Sequence, residues 1–532
     1  MTAMKKWIGI AAIASLLGGC SIADGPQSPN GENEIRVAIG SDIRGTNPGI
    51  SRDTFTDDVM LHMVEGLLTY RADLSPAPLL ADSVSVSEDG RRYVFRLRDD
   101  VVFHNGAPLD AATVKWSWER MLDPATNWLC RRWYDGSRGL NLESIDVVDP
   151  LTVAFNLSAP DVTFLDRVAN IQCMAAIIHP DSVDDEGNWV APVGTGPYKL
   201  AEWRRGEYIL LARHDDYVPL ATPRDGLAGA RVPNADRIRW MIIPDPASTK
   251  AALQSDQVDL AYRLQAADLA EIESIEKIDV HTGESLDWNV LLIQTENETL
   301  ADVSLRRAIA HAIDVSVLAE VVSSGISTPN PSTVARALGY HTPCHDMGHA
   351  HDPALARTLL ERSSYDGEPL VLQTNRRFSN MYDNAVLIQG MLAEIGINAR
   401  LEVLEWTTQL NNYMDGDFQI MTFGYSGRTD PTFSYEAVLG SKQANPAMQW
   451  DSPRALDILQ RTTTERDRQA RAALFCEIHA MMLEDVPMLN LFNHYVIAAS
   501  SDRIANYRIT SLQKPRLWGV EVIPAQDVIA AQ

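Results

Sequence analysis

The sequence feature that most constrains this fold is the segment Gly194–Trp203, which reads GTGPYKLAEW. Its two glycines flank a threonine and are followed by a proline. Glycine reaches backbone conformations closed to other residues, and proline fixes φ at about −65°. An apolar run follows at Tyr208–Leu211. The pattern predicts a sharp turn that feeds a pair of β-strands; an ordinary loop has similar residues, so the segment gains its meaning from the motifs around it.

Length and the alternation of patterns predict an α/β protein with several domains. A chain of 532 residues is too long for one core, so two or three domains are expected. Residues 236–262 and 369–423 each alternate strand, helix and strand patterns. Further strand patterns lie at Leu291–Gln294 and Leu489–Ala499, and residues 83–98 form the clearest hairpin pattern.

The N-terminus has the features of an export signal. Two lysines precede an apolar run, Trp7–Leu17, that is too short to span a bilayer as a permanent helix. The run ends in Leu-Gly-Gly-Cys, which resembles a lipobox, in which the cysteine (here Cys20) is diacylated; a signal peptide with a chance cysteine is the alternative. We expect a lipoprotein signal peptide at residues 1–20, a flexible tether at 21–33, and export to the membrane surface, on the extracellular face or in the periplasm.

Charge and missing motifs exclude several classes of function. The formal net charge is −25, which argues against nucleic-acid binding and against a basic membrane-binding surface. A solvated acidic surface explains this charge, so it does not identify a cationic ligand. The sequence contains no GxSxG, GxxxxGK[ST] or HExxH motif. We therefore expect a protein that is not an enzyme and has no cofactor.

One loop concentrates residues that bind metals. It contains His341, Cys344, His345, His349 and His351. Imidazole and thiolate are good ligands of transition metals, so a nickel, zinc or copper site is one interpretation, and a secreted metal-dependent enzyme is the corresponding rival function. A surface loop with its cysteine in a disulfide explains the same residues without metal. We therefore expect no metal site. The sequence also offers no positioned base or nucleophile beside the cluster, which argues against the enzyme.

Five ordered segments carry a resemblance to a known family. They are Val64–Leu68 (VEGLL), Ser87–Gly106 (SEDG, FRLR and VFHNG), the GTGPY segment, Leu305–Asp314 (LRRA and AID) and Glu484–Pro487 (EDVP). Together they resemble the extracellular solute-binding proteins that serve ABC importers of dipeptides, oligopeptides and nickel. The resemblance covers nearly all of the chain after residue 34.

The resemblance implies an α/β fold like the type II periplasmic binding proteins, with two lobes, a hinge and three domains. In this family a GTGPY-like segment returns the chain from an inserted domain to a discontinuous first domain. The implied boundaries are 34–68, 190–286 and 490–532 for domain I, 69–189 for the inserted domain II, and 287–489 for domain III.

The resemblance also implies a function. The chain would be a substrate-binding lipoprotein that captures a small solute, by default a peptide, between its lobes and delivers it to an ABC permease. A non-peptide or anionic solute, or a nickel-like metal complex, is the alternative within the same fold. The implied partners are the ligand, the permease subunits and the membrane that holds the lipid anchor. We expect a monomer.

Four cysteines remain after Cys20, and an exported protein meets an oxidising compartment in which they can pair. We predict a disulfide between Cys130 and Cys173, because both lie in the implied domain II. Pairing of Cys344 with Cys476 stays open. Cys476 lies in a helical pattern and also fits a buried apolar position.

Several candidate ligand residues follow from position in the chain. Asn47 lies in a turn after the first strand, where the family approaches its cleft, although a surface turn is an equal alternative. Trp288, Trp406 and Tyr425 are candidates for the cleft walls. Large aromatic side chains are also mostly buried, so a core position is the alternative for each of the three.

The sequence departs from the two anchors that dipeptide receptors use. The segment Phe423–Phe433 resembles the stretch in which an acidic residue before Asp-Pro holds the α-amine, but Gly427 or Arg428 occupies that place here. The arginine that holds the ligand carboxylate matches Asn375, with Arg376 beside it. A peptide ligand therefore needs other anchors in this chain.

Arg428 has two interpretations. A guanidinium binds oxyanions as a fork, so Arg428 would hold the carboxylate or phosphate of an anionic solute. It is also close in sequence to Asp430, with which it would form a structural ion pair. Asp430 is itself a candidate ligand residue.

Overall fold

A computed structural model describes residues 33–137 and 139–523. The predicted signal peptide, Cys20 and the tether as far as residue 32 lie outside the described residues. The strands are β1 Glu34–Ile39, β2 Leu68–Tyr70, β3 Pro76–Pro78, β4 Ala81–Val86, β5 Arg92–Leu97, β6 Leu142–Asp149, β7 Thr152–Leu157, β8 Tyr198–Arg204, β9 Tyr208–Arg213, β10 Arg237–Ile242, β11 Leu260–Tyr262, β12 Ile278–Ile293, β13 Leu370–Asn375, β14 Ala399–Leu404, β15 Ile420–Tyr425, β16 Met488–Ser501, β17 Ile504–Ala505 and β18 Glu521–Val522.

α-Helices pack against a ten-stranded sheet and a four-stranded sheet. They are α1 Thr54–Met60, α2 Ala111–Leu122, α3 Phe164–Ala169, α4 Pro246–Gln254, α5 Leu269–Glu273, α6 Val303–Ala312, α7 Val315–Ser323, α8 Pro353–Glu361, α9 Ser379–Glu394, α10 Trp406–Asp415, α11 Pro431–Glu436, α12 Pro453–Thr462 and α13 Arg468–Asp485. Among the described residues, none of these helices has the length and apolar character needed to cross a membrane.

A ten-stranded mixed sheet forms the centre of the molecule. Its strand order is β14-β13-β15-β12-β16-β11-β1-β10-β9-β8. β1 is parallel to β10 and β11, and β13 is parallel to β14 and β15; the other pairs are antiparallel. The predicted alternation at 236–262 is β10-α4-β11, and that at 369–423 begins with β13-α9-β14. The prediction of an α/β protein is therefore confirmed.

Two long antiparallel strands, β12 and β16, join the two halves of this sheet. Residues 278–284 pair with residues 495–501 on the side where β16 also pairs with β11. Residues 288–292 pair with residues 488–493 on the side where β12 also pairs with β15. The same two strands thus belong to both halves.

The register of β12 and β16 is broken in the middle. Glu284 pairs with Tyr495 and Trp288 with Asn493, so residues 285–287 lie opposite a single residue. Extra residues on one strand bend it and increase its local twist. The bend marks the place where the sheet passes from one half to the other.

The strand predicted at Leu291–Gln294 is the end of a longer element that starts at Ile278. A continuous apolar run is visible at this end because both faces of the strand are buried: Val290 and Leu292 pack in one core cluster, and Leu291 and Ile293 pack in another. The earlier half is partly exposed and carries charged residues, so it has no such pattern. Backbone pairing with β16, which a pattern of single residues does not reveal, extends the strand.

A separate four-stranded antiparallel sheet, in the order β4-β5-β7-β6, lies between residues 81 and 157. The predicted hairpin is confirmed: Val84 pairs with Phe95, and Gly90 at the turn has φ of 73°. Helix α2 packs beside this sheet, and the carboxylate of Asp110 caps it by accepting a hydrogen bond from the Thr113 amide.

The Gly-Thr-Gly segment brings two backbones into direct contact. The amide of Gly196 donates to the Met63 carbonyl at 3.0 Å, and the amide of Tyr198 donates to the His62 carbonyl at 3.0 Å. A β-carbon on Gly194 would lie 2.3 Å from the Met63 carbonyl oxygen, and one on Gly196 would lie 2.6 Å from that of His62. These contacts require glycine at both positions, which gives the sequence motif its physical reason.

Two disulfide bonds are present among the described residues. Cys130 is bonded to Cys173, with the α-carbons 5.5 Å apart, as predicted from the sequence. Cys344 is bonded to Cys476, with the α-carbons 5.9 Å apart. The sequence alone did not decide whether these two cysteines pair. The second bond joins residues 132 positions apart and ties the histidine-rich loop to α13.

A buried histidine links α1 to the C-terminal segment. His62 is inaccessible to solvent, its Nδ1 donates to the Asp58 carbonyl at 2.9 Å, and its Nε2 accepts from the Leu517 amide at 3.3 Å. The ring contacts those of Trp240 and Trp518. Burial lowers the pKa of His62 to about 3, so the ring is neutral in the folded protein.

This neutral histidine predicts a loss of stability in mild acid. A histidine in the unfolded chain titrates near pH ~6.5, so the unfolded state binds a proton that the folded state refuses until pH falls to about 3. Between pH 7 and pH 5 His62 should cost roughly 2 kcal/mol of the free energy of unfolding. Urea unfolding at both pH values should show a smaller pH difference for His62→Gln than for the wild type.

The exposed His351 provides the matched control, and His351→Gln should leave the pH difference unchanged. An equal pH difference in the wild type and His62→Gln would show that His62 does not carry the effect.

Candidate functional site

A polar cleft lies beside the break in the β12–β16 pair and has a volume of about 140 Å³. Its walls come from the start of α1, the end of β2, residues 170–172, the residue after β11, the bend of β12, the loop after β15, and residues 511–514. These segments are distant in sequence. They meet here because the two halves of the sheet face each other at this point.

The first group in the cleft is a set of paired charges at α1. Arg52 Nη2 lies 2.6 Å from Asp57 Oδ2, and Lys514 Nζ lies 2.7 Å from Asp58 Oδ1. The Tyr262 hydroxyl also donates to Asp58, at 2.8 Å. Burial raises the pKa of Asp57, and the neighbouring Arg52 and Lys514 oppose that shift. The two cations thus hold two buried carboxylates at the cleft wall.

Asp287 is the acidic side chain that joins several walls of the cleft. Its Oδ1 accepts a hydrogen bond from the Gly427 amide at 2.6 Å, and its Oδ2 accepts one from Gln513 Nε2 at 2.8 Å. Asp287 is only half-buried and lines the cavity. A carboxylate has about four acceptor positions, so it retains capacity for a donor in the cleft.

Gly427 is confined by the bend in β12. A β-carbon at this position would lie 2.2 Å from Leu286 Cβ and 2.8 Å from the Leu286 carbonyl carbon. An acidic side chain at position 427, as in the family pattern, does not fit this arrangement. The acid beside Gly427 comes instead from Asp287 on the neighbouring strand, 140 residues away in sequence.

Arg263 is the third cation of the cleft. Its two terminal nitrogens donate to Gln513, to Oε1 at 3.1 Å and to the backbone carbonyl at 3.2 Å. Its Nε is buried without a hydrogen-bond partner among the described residues. Arg263 has φ of 60°, in the left-handed region that side chains rarely adopt, and backbone strain of this kind is concentrated at binding sites. Gln513 therefore lies between Arg263 and Asp287.

Tyr70 closes one side of the cleft. Its hydroxyl donates to the Asp166 carbonyl at 2.7 Å, so the hydroxyl of Thr429, 2.8 Å away, must donate to Tyr70. Nearby, the Arg167 guanidinium lies 4.7 Å from the centre of the Phe433 ring. Segments on either side of the cleft are thus in direct contact.

The predicted aromatic walls do not line the cleft. Trp288 and Tyr425 are buried in the same hydrophobic cluster, with ring centres 5.4 Å apart. Trp406 packs between the rings of Phe378 and Phe423 at the edge of that cluster. The core interpretation of these three residues agrees with their positions.

Asn375 and Arg376 also lie away from the cleft. Asn375 is fully buried; its Nδ2 donates to Gln409 at 2.7 Å and its Oδ1 accepts from the Phe378 amide at 2.9 Å. The Arg376 guanidinium lies 4.0 Å from the centre of the Tyr382 ring and donates to its hydroxyl. Neither residue contributes to the cavity.

The remaining predicted ligand residues have other surroundings. Asp430 is fully buried, caps α11 and forms an ion pair of 2.6 Å with Arg471, rather than facing the cavity. Arg428 lies between two cleft residues and donates to the carbonyls of Ser426 and Gly427. Asn47 lies in its turn, with its Oδ1 buried and no partner among the described residues, and it is not part of the cleft wall.

The histidine-rich loop contains the one three-residue grouping of metal-ligand atoms found among the described residues. It consists of Cys344, His345 and Cys476, whose ligand atoms lie within 4.8 Å of one another. Both cysteines are in a disulfide, so neither offers a thiolate. Burial lowers the pKa of both His345 and His349 to about 4. The loop is explained by the disulfide and by packed neutral imidazoles.

Known proteins are similar to this chain over most of its length. The model of the family described as bacterial extracellular solute-binding proteins, family 5 Middle, matches residues 75–446. The chain is 26% identical over 520 residues to the glutathione-binding protein GsiB of Salmonella paratyphi A, covering 95% of this chain and 96% of that protein.

Solved structures show the same fold. HbpA2 from Haemophilus parasuis is similar with a TM-score of 0.80 and 21% identity, over 92% of this chain and all (100%) of that chain. DppA from Helicobacter pylori, in complex with the peptide STSA, is similar with a TM-score of 0.73 and 23% identity, over 92% and 99% of the two chains. The predicted type II binding-protein fold with two lobes is therefore confirmed.

The confined position of Gly427 gives a prediction. In Gly427→Ala the added methyl group would overlap Leu286 and should lower the free energy of unfolding by about 1–3 kcal/mol, because an overpacked site must distort. Urea unfolding measures this change.

Gly390 is the matched control, because a β-carbon there meets no atom within 4 Å and the residue lies inside α9. Gly390→Ala should raise the free energy of unfolding by about 0.5–1 kcal/mol. Equal effects of the two substitutions would remove the steric argument for Gly427.

Proposed function

Because the chain belongs to family 5 of the bacterial extracellular solute-binding proteins, we propose that it captures a short zwitterionic peptide in the polar cleft and delivers it to the permease of an ABC importer. The proposed ligand class is supported by two proteins to which it is similar, one named for glutathione and one bound to the peptide STSA. No bond is made or broken in this function.

The observation that carries the proposal is the pair of opposite charges on either side of Gln513. Asp287 accepts from Gln513 Nε2, and Arg263 donates to Gln513 Oε1. A peptide ammonium would bind Asp287, and a peptide carboxylate would bind Arg263, which has no carboxylate within ion-pair distance among the described residues. These two residues replace the anchors that the family pattern places at Gly427 and Asn375.

The size of the cleft limits the ligand. About 140 Å³ is well below the ~300–1,000 Å³ of pockets that hold drug-sized molecules. In this arrangement the cleft favours a very short peptide with small side chains. A longer ligand requires the lobes to separate.

The mechanism follows from the position of Asp287 at the bend of β12. A ligand that contacts Asp287 and Gly427 on one side and Arg52 and Arg263 on the other stabilises the closed arrangement more than any open one. The permease then recognises the closed lobes. The irregular register of β12 and β16 provides the hinge, since few residues there must change conformation.

The family is extracellular, and we further propose that the protein is held at the membrane by two acyl chains on Cys20 and acts as a monomer. The domain boundaries implied by the resemblance belong to the same proposal. The larger of the two register shifts in the β12–β16 pairing, between Glu284 and Trp288, supports a boundary near residue 287.

Substitution of the proposed ammonium anchor tests the ligand assignment. The mature wild-type protein should be stabilised by a pool of short peptides in thermal unfolding. For a peptide selected from that pool, Asp287→Asn should weaken binding about tenfold or more in calorimetric titration, because a charge-assisted hydrogen bond is lost. The wild type should lose a similar amount when the peptide is N-acetylated.

Asp457→Asn, on the exposed face of α12, is the matched control and should bind like the wild type. Equal loss on N-acetylation in the wild type and in Asp287→Asn would move the ammonium site elsewhere. Stabilisation by a non-peptide solute, with no response to any peptide, would overturn the peptide assignment.

The lipid anchor is tested separately. Cys20→Ser removes the acylated sulfur, so the exported protein should move from the salt-washed membrane fraction to the soluble fraction. Ser21→Ala is the matched control and should stay with the membrane. Retention of Cys20→Ser in the membrane fraction after its signal peptide has been removed would contradict the anchor.

A further inference from the structure

A second cavity, of about 540 Å³, is lined by arginines. Its charged side chains are Arg71, Arg224, Arg508 and Arg516, together with a single carboxylate, Asp225. It shares the wall segment Ser511–Leu512 with the polar cleft, and otherwise its lining is different. Four arginines around one cavity are unexpected in a chain whose formal net charge is −25.

Three of the four arginines donate to backbone carbonyls rather than to carboxylates. Arg71 donates to the Pro76 carbonyl at 2.8 Å, Arg224 to the Trp518 carbonyl at 3.3 Å, and Arg516 to the Gly226 carbonyl. Among residues 33–137 and 139–523, none of the four guanidinium groups lies within ion-pair distance of a carboxylate, whereas most buried arginines elsewhere, such as Arg471, do. The cavity therefore holds an excess of positive charge.

Arg516 is the most deeply buried of the four arginines. Its residue is 6% exposed, and its Nε is buried with no hydrogen-bond partner among the described residues. A buried donor without a partner costs free energy, and a buried charge costs more unless an opposite charge is present. Burial, followed by the nearby Arg224, lowers the pKa of Arg516 to about 10. An anion would relieve both penalties.

The single acid does not neutralise the site. Asp225 accepts a hydrogen bond from the Ala72 amide at 2.9 Å, which holds the loop at residues 224–227 against the segment that follows β2. Burial and the nearby Arg508 lower the pKa of Arg224. One carboxylate among four guanidinium groups leaves the lining of the cavity with a formal charge of about +3.

We propose that this arginine-lined cavity binds a small soluble solute that carries two or more oxyanion groups, either carboxylate or phosphate. Guanidinium groups match both oxyanions in planar, two-point hydrogen bonds. The recessed position of Arg516 favours a small molecule over a flat membrane surface. The site does not depend on the ligand of the polar cleft.

Calorimetric titration of the mature protein with citrate and with pyrophosphate tests the proposal at low salt and at ~0.15 M salt. At least one of the two should bind with one-to-one stoichiometry, and the affinity should fall as salt rises. Arg508 is exposed, so Arg508→Gln should fold normally; it should weaken binding about tenfold, as expected for the loss of one charge-assisted contact. Binding of citrate alone would identify a carboxylate ligand, and binding of pyrophosphate alone would identify a phosphate ligand.

Two further variants locate the anion. Arg400→Gln, on the exposed side of the edge strand β14, removes the same charge elsewhere and should leave the affinity unchanged. Arg52→Gln removes a cation of the polar cleft and should also leave it unchanged. Failure of both anions to bind, or an equal loss with Arg508→Gln and Arg400→Gln, would overturn the proposal; a loss confined to Arg52→Gln would assign the anion to the cleft instead.

Discussion

The pairing of β12 with β16 is the interaction on which the rest of the structure depends. On one side of these two strands lie β14, β13 and β15, and on the other side lie β11, β1, β10, β9 and β8. In the part of the chain that the structure describes, strand pairing connects the two sides of the sheet only through β12 and β16. Their register is regular except at residues 285–287 and at a second, smaller shift between Asn289 and Val290. The cleft, the bend and Asp287 therefore occur at one place for one reason: the sheet must change direction where two packed halves meet.

Several carboxylates are buried in this molecule, each next to a cation. Asp57, Asp58, Glu65 and Asp430 are all removed from solvent, and each lies beside a cation that compensates for the lost hydration. The Arg471–Asp430 pair illustrates the arrangement, since the same arginine also donates to Thr432 and to the carbonyl of Thr462. Arg263 and Arg516 have no carboxylate within ion-pair distance among the described residues, and each has a buried Nε without a hydrogen-bond partner, which is why both proposals place an anionic group beside an arginine.

Local elements could be predicted from the sequence, while the cleft could not. The 83–98 hairpin and the Asp110 cap depend on contacts between residues that are close in sequence. The Gly-Thr-Gly turn can be predicted from its two glycines alone. The cleft joins Asp287 to Gly427 across 140 positions and to Gln513 across 226. No single-residue pattern contains that information. Trp288, predicted as a cleft wall, lies in the core, whereas its neighbour Asp287 lines the cavity, since successive side chains of a strand point to opposite faces.

Residues 64–195 leave and rejoin the rest of the chain at a single point, because the backbone of residues 196–198 is bonded directly to that of residues 62–63. The two ends of this excursion lie side by side in the folded protein, so a relative's version of the segment would join the rest of the chain at two adjacent points. The glycines that permit this contact make Met63 and Gly196 suitable splice points for chimeric receptors, provided that the contacts of Glu65 with Arg231 and of Tyr70 with Thr429 are kept.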